Sequence, residues 1–446
     1  GAASASRFAA PQARGMARSG DTIYINDPLQ TPGGVNTTNW TPTGKQNNGT
    51  GDQTKPSVIQ MSSIPDYDNK KPFGDNRNSS WLTLTNDETY GGWGSSGNLV
   101  NNTAFGSDQG VVLEYDQRIW RTRPGKDNMG GGDGLSVYLV DADNDPHSPD
   151  FADGPGESYS GTRIETDVTL PGGYGAGLGY SPAAGAGTNL WTDSQQGVAG
   201  GYIGVGFDVY GNYANYSDNR DANSGRTRPQ IFPLATPSNN GDTREAINNG
   251  TVKDQNLRPN TIGLRGSGVR HDGTLTDDNP NAGKNLLNLN YRYGMNANSP
   301  DAVPGGRDWH GGYRWLNGKT LPDGVSIEND YQSAAQYKRV RVSIIPDSFG
   351  ENHTVTVEMS NPLNISQDVC AKIDVNGQAE TDPSGNIIQQ DNQLCVDDPG
   401  TQGIWVADPA NVQMVQQFQY TMGDPVEDSN SSRNLQAKLP ANFQIG

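Results

Sequence analysis

Three side chains suited to binding a cation and a sugar follow one another at a spacing of two residues. Asp208, Tyr210 and Asn212 supply a carboxylate, an aromatic ring and a carboxamide at the end of the apolar run 204–209. Alternate side chains of a strand point the same way, so these three share a direction if the strand stays extended. Oxygen-rich groups beside a ring are what a hard cation and a sugar need. The pattern therefore predicts a cation site next to a carbohydrate site.

Short β-strands are the elements that must position these groups. The 446 residues include 58 Gly and 28 Pro, and only 32% of them are hydrophobic, which is poor in helix formers and rich in turn formers. We expect an all-β fold with long loops. No segment has a convincing amphipathic helix pattern, and 411–420 is the best short candidate for one. Strands are predicted at 22–26, 80–85, 110–121, 134–140, 162–170, 200–210, 260–265, 337–345 and 353–359.

The segment 338–359 predicts a hairpin with a long loop at 346–350. Arg339, Arg341 and Ser343 alternate with aliphatic residues. One face of this hairpin is therefore expected to be exposed to solvent and the other buried, as in a β-sandwich.

The charge of the chain excludes some partners. Formal net charge is −18, from 32 basic and 50 acidic residues, so the phosphates of nucleic acid would be repelled. No apolar run approaches the roughly 20 residues of a membrane span. The acidity offers many cation ligands, although it could also serve only to keep an exported protein soluble.

Two cysteines, Cys370 and Cys395, are present. In an exported protein they would close one disulfide loop, and two buried thiols are the alternative. Residues 1–20, rich in Ala, Ser and Arg, indicate a tail, a linker or an attachment segment.

Several motifs occur in a characteristic order along the chain. They are Gly-Asp-Gly-Leu-Ser-Val-Tyr-Leu at 132–139, Pro-Gly-Gly-Tyr-Gly-Ala-Gly-Leu-Gly at 171–179 and Ile-Gly-Val-Gly-Phe-Asp-Val-Tyr-Gly-Asn at 203–212, with further segments at 81–85, 97–100, 111–120, 261–264, 337–359 and 439–446. In this order they resemble a bacterial L-type (legume-type) lectin domain. The resemblance implies an antiparallel jelly-roll sandwich of the concanavalin type, with the site in loops above one sheet.

The resemblance also implies a domain organisation. Residues 1–26 would be an N-terminal tail or attachment segment, and 27–446 a single lectin-like domain. Stretches that match no lectin motif would be insertions, at about 219–259, 266–335 and 370–434. The last matched segment corresponds to the start of the family's final strand, so another chain is expected to complete the sheet edge there, or the chain continues.

Carbohydrate-binding roles follow from the resemblance. Asp133 would accept hydrogen bonds from two sugar hydroxyls, after a cis peptide bond between Gly132 and Asp133. Gly173, or its neighbour Gly172, would donate a backbone N–H to the sugar. The ring of Tyr210 would stack on the apolar face of the sugar. Each glycine or aspartate alone would be explained equally well by a turn.

Calcium ligation is implied in the same way. Asp208 would supply a carboxylate, Tyr210 its backbone carbonyl, and Asn212 its side-chain oxygen, while the NH₂ of Asn212 binds the sugar. Calcium takes six to eight oxygens, and Asp218 is the nearest further carboxylate. The alternative is that these are solvated residues at the end of a loop.

The chain departs from the family pattern at two places. Where the family often has ligands for a second, transition-metal ion, this sequence has Gly206 and Thr261, so we expect calcium alone. Asp218 lies further from the metal strand than usual, and Asn215 or Asp221 could replace it.

The expected function is calcium-dependent binding of cell-surface or extracellular glycans by a secreted or surface-displayed bacterial protein, with a role in adhesion and no enzymatic activity. A structural subunit of an extracellular filament or pilus is the main alternative. Glycoside hydrolysis is disfavoured, because the nearest match to a catalytic carboxylate pair, Glu165 and Asp167, lacks the second glutamate.

Overall fold

Strands dominate the part of the chain that the structure covers. The computed structural model describes residues 25–46, 55–64, 79–85, 95–121, 131–142, 168–173, 175–181, 197–211, 213, 259–266, 315–330, 333–348, 353–365, 368–397, 403–407, 412–421 and 442–446. Its strands are β1 (Trp40–Gln46), β2 (Ser57–Gln60), β3 (Ser80–Thr83), β4 (Ser95–Asn101), β5 (Phe105–Gly106), β6 (Val111–Gln117), β7 (Gly134–Asp141), β8 (Gly201–Asp208), β9 (Thr261–Arg265), β10 (Trp315–Thr320), β11 (Lys338–Pro346), β12 (His353–Asn361), β13 (Asp368–Lys372), β14 (Gly403–Ala407), β15 (Gln413–Thr421) and β16 (Asn442–Ile445).

The described fold is all-β, as predicted, and its strands pair antiparallel. Among the described residues, one short α-helix, α1 (Asn392–Asp397), and three single 3-10 turns accompany the strands. In the described part of the chain, no helix is long and apolar enough to cross a membrane. The predicted tail at 1–26 and the predicted strand at 162–170 lie largely outside the described residues.

The chain divides into two compact units. The first comprises residues 1–124 and 328–419, and the second comprises 125–327 and 420–446. The expectation of a single domain over 27–446 stays a prediction.

A four-stranded sheet with the order β15-β12-β11-β6 forms the centre of the first unit. The predicted hairpin is confirmed as β11 and β12, in which Val342 lies opposite Val357. Val342 also lies opposite Leu113 of β6. Alternate residues of β11 and β12 are buried, so one face of the hairpin faces a core.

The other face of this sheet carries cross-strand ion pairs. Arg341 donates two hydrogen bonds to the carboxylate of Glu358, at 2.6 and 2.9 Å, and lies 3.6 Å from Glu114. Arg339 donates to Asp116 at 2.9 Å. The hydrogen bond from Arg341 lowers the pKa of Glu358, whereas burial raises the pKa of Asp116 against the opposing effect of Arg339. Opposite charges directly across the strands support this register.

Two of the predicted insertions contain strands that belong to these sheets. β15 lies within 370–434 but is an edge strand of the four-stranded sheet, and β10 lies within 266–335 but is an edge strand in the second unit. The helix candidate at 411–420 is wrong, because β15 occupies these residues. The side chain of Gln419 donates to Thr356 on β12 at 3.1 Å, and this partner strand overrides a weak helical spacing.

A disulfide joins Cys370 and Cys395, as predicted. It links β13 to α1, and β13 pairs with β14. Both sulfur atoms lie in a small core with Trp405. The start of the predicted insertion at 370–434 therefore folds as a structure of its own.

Five strands of the second unit pack side by side in the order β10-β9-β8-β7-β16. Gly206 of β8 lies opposite Ser136 of β7 and Gly263 of β9, and Gly263 lies opposite Gly318 of β10. A row of small residues therefore crosses one face of this sheet. Every residue of β8 and β9 is buried, so the strand that precedes the candidate site lies inside the unit.

We expect the first unit to lose stability as the pH falls through about 6.5, the ordinary value for histidine. His353 is fully buried at the start of β12, with Nε2 2.8 Å from the carbonyl oxygen of Ser107. Burial lowers the pKa of His353, so the unfolded state takes up its proton first and folded stability declines below the unfolded pKa. Thermal unfolding between pH 8 and pH 5 measures this loss. His353→Gln keeps a donor but cannot titrate, and an unchanged pH slope in that variant would contradict the assignment.

Candidate functional site

The turn before β7 and the end of β8 are held together by main-chain hydrogen bonds. Gly134 of β7 lies opposite Asp208 of β8. The carbonyl oxygen of Asp133 accepts the N–H groups of Val209 and Tyr210, at 2.9 and 3.1 Å. Asp133 and Tyr210, which are 77 positions apart in the sequence, are therefore neighbours, as the predicted carbohydrate site requires.

Glycines allow this close approach. Gly134 has φ 148°, and a Cβ atom there would lie 2.1 Å from the carbonyl oxygen of Phe207. A Cβ atom on Gly132 would lie 3.7 Å from Cδ2 of Tyr210, so the ring stands beside the turn. The peptide bond between Gly132 and Asp133 is cis, as the resemblance predicts. A side chain at 134 would thus separate β7 from β8, whereas a Cβ atom at 132 would only contact the ring.

The glycine loop at 171–181 completes the surroundings of Asp133. The hydroxyl of Ser136 on β7 donates to the carbonyl oxygen of Leu178 at 2.7 Å and fixes the loop to the sheet. Gly175 has φ +65°, and a Cβ atom on it would lie 3.4 Å from Oδ2 of Asp133. The carboxylate of Asp133 therefore lies against Gly175, and both residues are only half-buried.

Gly172 and Gly173 make main-chain hydrogen bonds within the glycine loop. The N–H of Gly172 donates to the carbonyl oxygen of Gly179 at 2.6 Å, and the N–H of Gly173 donates to that of Ser181 at 3.0 Å. Both glycines are buried. A Cβ atom on Gly172 would lie 2.6 Å from the carbonyl oxygen of Tyr180. The N–H groups thus close the loop on itself, and the predicted donation to a sugar stays a prediction.

Asp208 organises the chain that follows β8. Its carboxylate is buried, at 1% exposure, and accepts the N–H groups of Gly211 at 2.7 Å and Tyr213 at 2.8 Å. β8 ends at Asp208, and Gly211 has φ +113°, so the chain bends around the carboxylate. The strand predicted at 200–210 therefore ends two residues early, at Asp208. Tyr210 is half-buried, whereas Asp208 is enclosed.

Part of the predicted calcium site lies outside the described residues, namely Asn212 and Asp218. Among the residues that are described, no three or more His, Cys, Asp or Glu side chains group together as metal ligands. A carboxylate has acceptor positions for about four contacts, so two N–H bonds to Asp208 are compatible with a metal contact. The oxygen donor set expected here, from Asp208, Tyr210 and Asn212, fits the preference of calcium.

No family model, curated protein or solved structure matches the chain. The residues of the site themselves indicate what it can bind. A half-buried carboxylate on Asp133 can accept hydrogen bonds from neighbouring hydroxyl groups. The Tyr210 ring beside it can cover an apolar surface of a ligand.

A tyrosine ring fills the place where the family often has a second metal ligand. A Cβ atom on Gly206 would lie 2.4 Å from Cε1 of Tyr213. The hydroxyl of Thr261, the other departure from the family pattern, lies 2.8 Å from the hydroxyl of Thr320. Both positions therefore have a structural explanation that the sequence pattern did not supply.

The sequence did not point to two buried tyrosines, Tyr180 and Tyr213, that pack on β8. Tyr180 packs on Gly204, where a Cβ atom would lie 2.2 Å from its ring, and Tyr213 packs on Gly206. The hydroxyl of Tyr213 donates to the carbonyl oxygen of Gly204 at 3.0 Å, and burial raises the pKa of Tyr213. Arg265, at 2% exposure, donates from Nε to the carbonyl oxygen of Tyr213 at 2.7 Å. The signal in the sequence was the pair of glycines two residues apart in an apolar strand.

Proposed function

We propose that this protein binds carbohydrate with the help of calcium, as a jelly-roll sandwich of the L-type lectin class. One observation carries the proposal: Asp133, Gly175 and Tyr210 come together from three separate segments. The carboxylate of Asp133 lies against Gly175, and the main chain of Asp133 is bonded to that of Tyr210. A carboxylate, an aromatic ring and a glycine without a side chain are the groups that a pyranose needs around it.

Each residue has a distinct part in this proposal. Asp133 accepts hydrogen bonds from two sugar hydroxyls, and Tyr210 stacks on the apolar face of the sugar. Asp208, Asn212 and Asp218 hold calcium together with the carbonyl of Tyr210, and the NH₂ of Asn212 reaches the sugar. Calcium bound there would hold the chain that carries the ring.

The proposed setting is the cell surface or the extracellular space, where the protein would act in adhesion to glycans. The disulfide between Cys370 and Cys395 supports this setting, because disulfides persist in oxidising compartments. A filament or pilus subunit with the same fold is the alternative.

A glycan array probed with the full chain tests the proposal. We expect sugar binding in calcium and none in a chelator. Asp133→Asn is expected to weaken binding tenfold or more at an unchanged melting temperature, because a hydrogen bond to a charged group contributes about 1.5–3 kcal/mol. Asp323→Asn, at an exposed aspartate, is the matched control and should bind normally.

Two outcomes would contradict the proposal. Equal binding in calcium and in chelator would remove the role of the metal. No retained glycan, together with assembly that rises with protein concentration, would favour the filament subunit.

A further inference from the structure

A buried lysine meets a buried asparagine in the first unit. Lys338, the first residue of β11, is 2% exposed, and Asn329 is 6% exposed. Nζ of Lys338 lies 2.6 Å from Oδ1 of Asn329. We propose that these two side chains join in an intramolecular isopeptide bond, formed by the chain on itself.

The asparagine is held in place on every side. Its Nδ2 donates to the carbonyl oxygens of Ser333 at 3.0 Å and Gln336 at 3.4 Å. Its main-chain N–H donates to Ile119 at 2.8 Å, and its carbonyl oxygen accepts the N–H of Arg121 at 3.2 Å. The amide therefore presents its oxygen to the lysine and its nitrogen to two carbonyls. Because folding already holds the amide beside the amine, little further entropy is lost when the two groups react.

The lysine is suited to act as a nucleophile. Only the neutral amine attacks a carbonyl carbon, and an ordinary lysine is almost wholly protonated near neutral pH. Burial lowers the pKa of Lys338 to about 8, against the opposing effect of the nearby Glu328 carboxylate. A substantial fraction of Lys338 is therefore neutral at a pH at which a surface lysine is charged.

Glu328 carries a carboxylate that acts electrostatically on the lysine. Its side chain is 8% exposed and lies 3.6 Å from Arg121. It precedes Asn329 directly in the chain, and its charge acts on Lys338. We assign to it the transfer of a proton from the attacking amine to the departing nitrogen, a role that needs a carboxylate and not only a polar group of the same shape.

The reaction balances without any further reactant. The neutral Nζ of Lys338 attacks Cγ of Asn329, so the Nζ–Cγ bond forms. The Cγ–Nδ2 bond breaks, and Nδ2 leaves as ammonia after it receives, by way of Glu328, the proton that Nζ loses. An amine and a primary amide become a secondary amide and ammonia, with no change in oxidation state.

The surroundings favour a lasting bond. Ala334, between the two residues in sequence, is fully buried and belongs to a cluster with Met61, Trp81 and Trp120. Such apolar packing excludes water from the pair and favours the neutral form of the amine. The bond would fasten the segment at 328–330 covalently to the start of β11.

Intact-mass spectrometry of the full, disulfide-reduced chain tests the proposal. The expected mass is that of the sequence less one ammonia. A protease that cuts before Asp330 should leave the peptides on its two sides joined through Lys338 and Asn329. A mass equal to that of the sequence overturns the proposal.

Variants assign the loss of ammonia to these residues. Lys338→Arg keeps the charge and Glu328→Gln keeps the shape, and both are expected to restore the full mass. Lys372→Arg, at a lysine paired with Glu380 at the surface, is the control and should keep the loss. Loss of ammonia that persists in Lys338→Arg would show that it comes from another reaction, such as ring closure at an asparagine backbone, and would overturn the proposal. Should a variant fail to fold, the joined peptides of the unaltered chain decide.

Discussion

Replacement of Gly206 by alanine is expected to lower the free energy of unfolding by about 3 kcal/mol, the upper part of the range for overpacked cores. The new methyl group would lie 2.4 and 2.5 Å from two ring carbons of Tyr213. That ring cannot move aside alone. Its hydroxyl donates to Gly204, its N–H donates to Asp208 and its carbonyl oxygen accepts from Arg265. Chemical denaturation followed by circular dichroism measures the loss.

A matched control and a second substitution isolate the cause. Gly34 has open space where its Cβ atom would lie, so Gly34→Ala should leave stability within about 0.5 kcal/mol. In a Tyr213→Ala background the ring is gone, and Gly206→Ala should then cost far less. The double-mutant cycle measures this coupling. An equal cost of Gly206→Ala in both backgrounds would show that the contact with Tyr213 is not the reason.

The strands that carry the site could be predicted because their own residues determine them. β7, β8 and β9 are apolar runs bounded by turn-forming residues, and all three were predicted within one or two residues. β10 and β15 were missed, because an edge strand buries less and tolerates polar residues such as those in Trp-Leu-Asn-Gly-Lys-Thr. What makes such a segment a strand is the partner beside it, and its own sequence does not contain that information.

The candidate site, too, could be predicted from the sequence only in part. Residue types and motif order led to Asp133, Tyr210 and the cis peptide bond, but not to the bend after Asp208. Periodicity describes an element only while the element continues, and β8 ends where its last carboxylate accepts two N–H groups. The hydrogen bonds of Gly172 and Gly173 could not be predicted either, since a glycine-rich motif does not specify which carbonyls its N–H groups will meet. The packing of the Tyr213 ring on Gly206 is likewise a contact that the sequence pattern does not specify.

Asp208→Ala is expected to lower the free energy of unfolding by about 3 kcal/mol and to abolish sugar binding even in excess calcium. The substitution leaves the buried N–H groups of Gly211 and Tyr213 without their acceptor, and each such group costs about 1–3 kcal/mol. Asp133→Asn should differ, because it changes a half-buried residue whose main chain makes the bonds to β8. The contrast separates a residue that builds the loop from one that meets the ligand.

Calcium is also expected to stabilise the folded chain through the carboxylate of Asp208. A ligand that binds only the folded state raises the melting temperature with its concentration, so calcium should stabilise the unaltered chain. Asp208→Asn retains one oxygen for a main-chain N–H but loses the carboxylate charge, and it should show little or no calcium-dependent shift. Asp323→Asn should keep the full shift. Thermal unfolding with and without calcium decides the matter, and an equal shift in Asp208→Asn and the unaltered chain would place the cation elsewhere and remove Asp208 from its ligands.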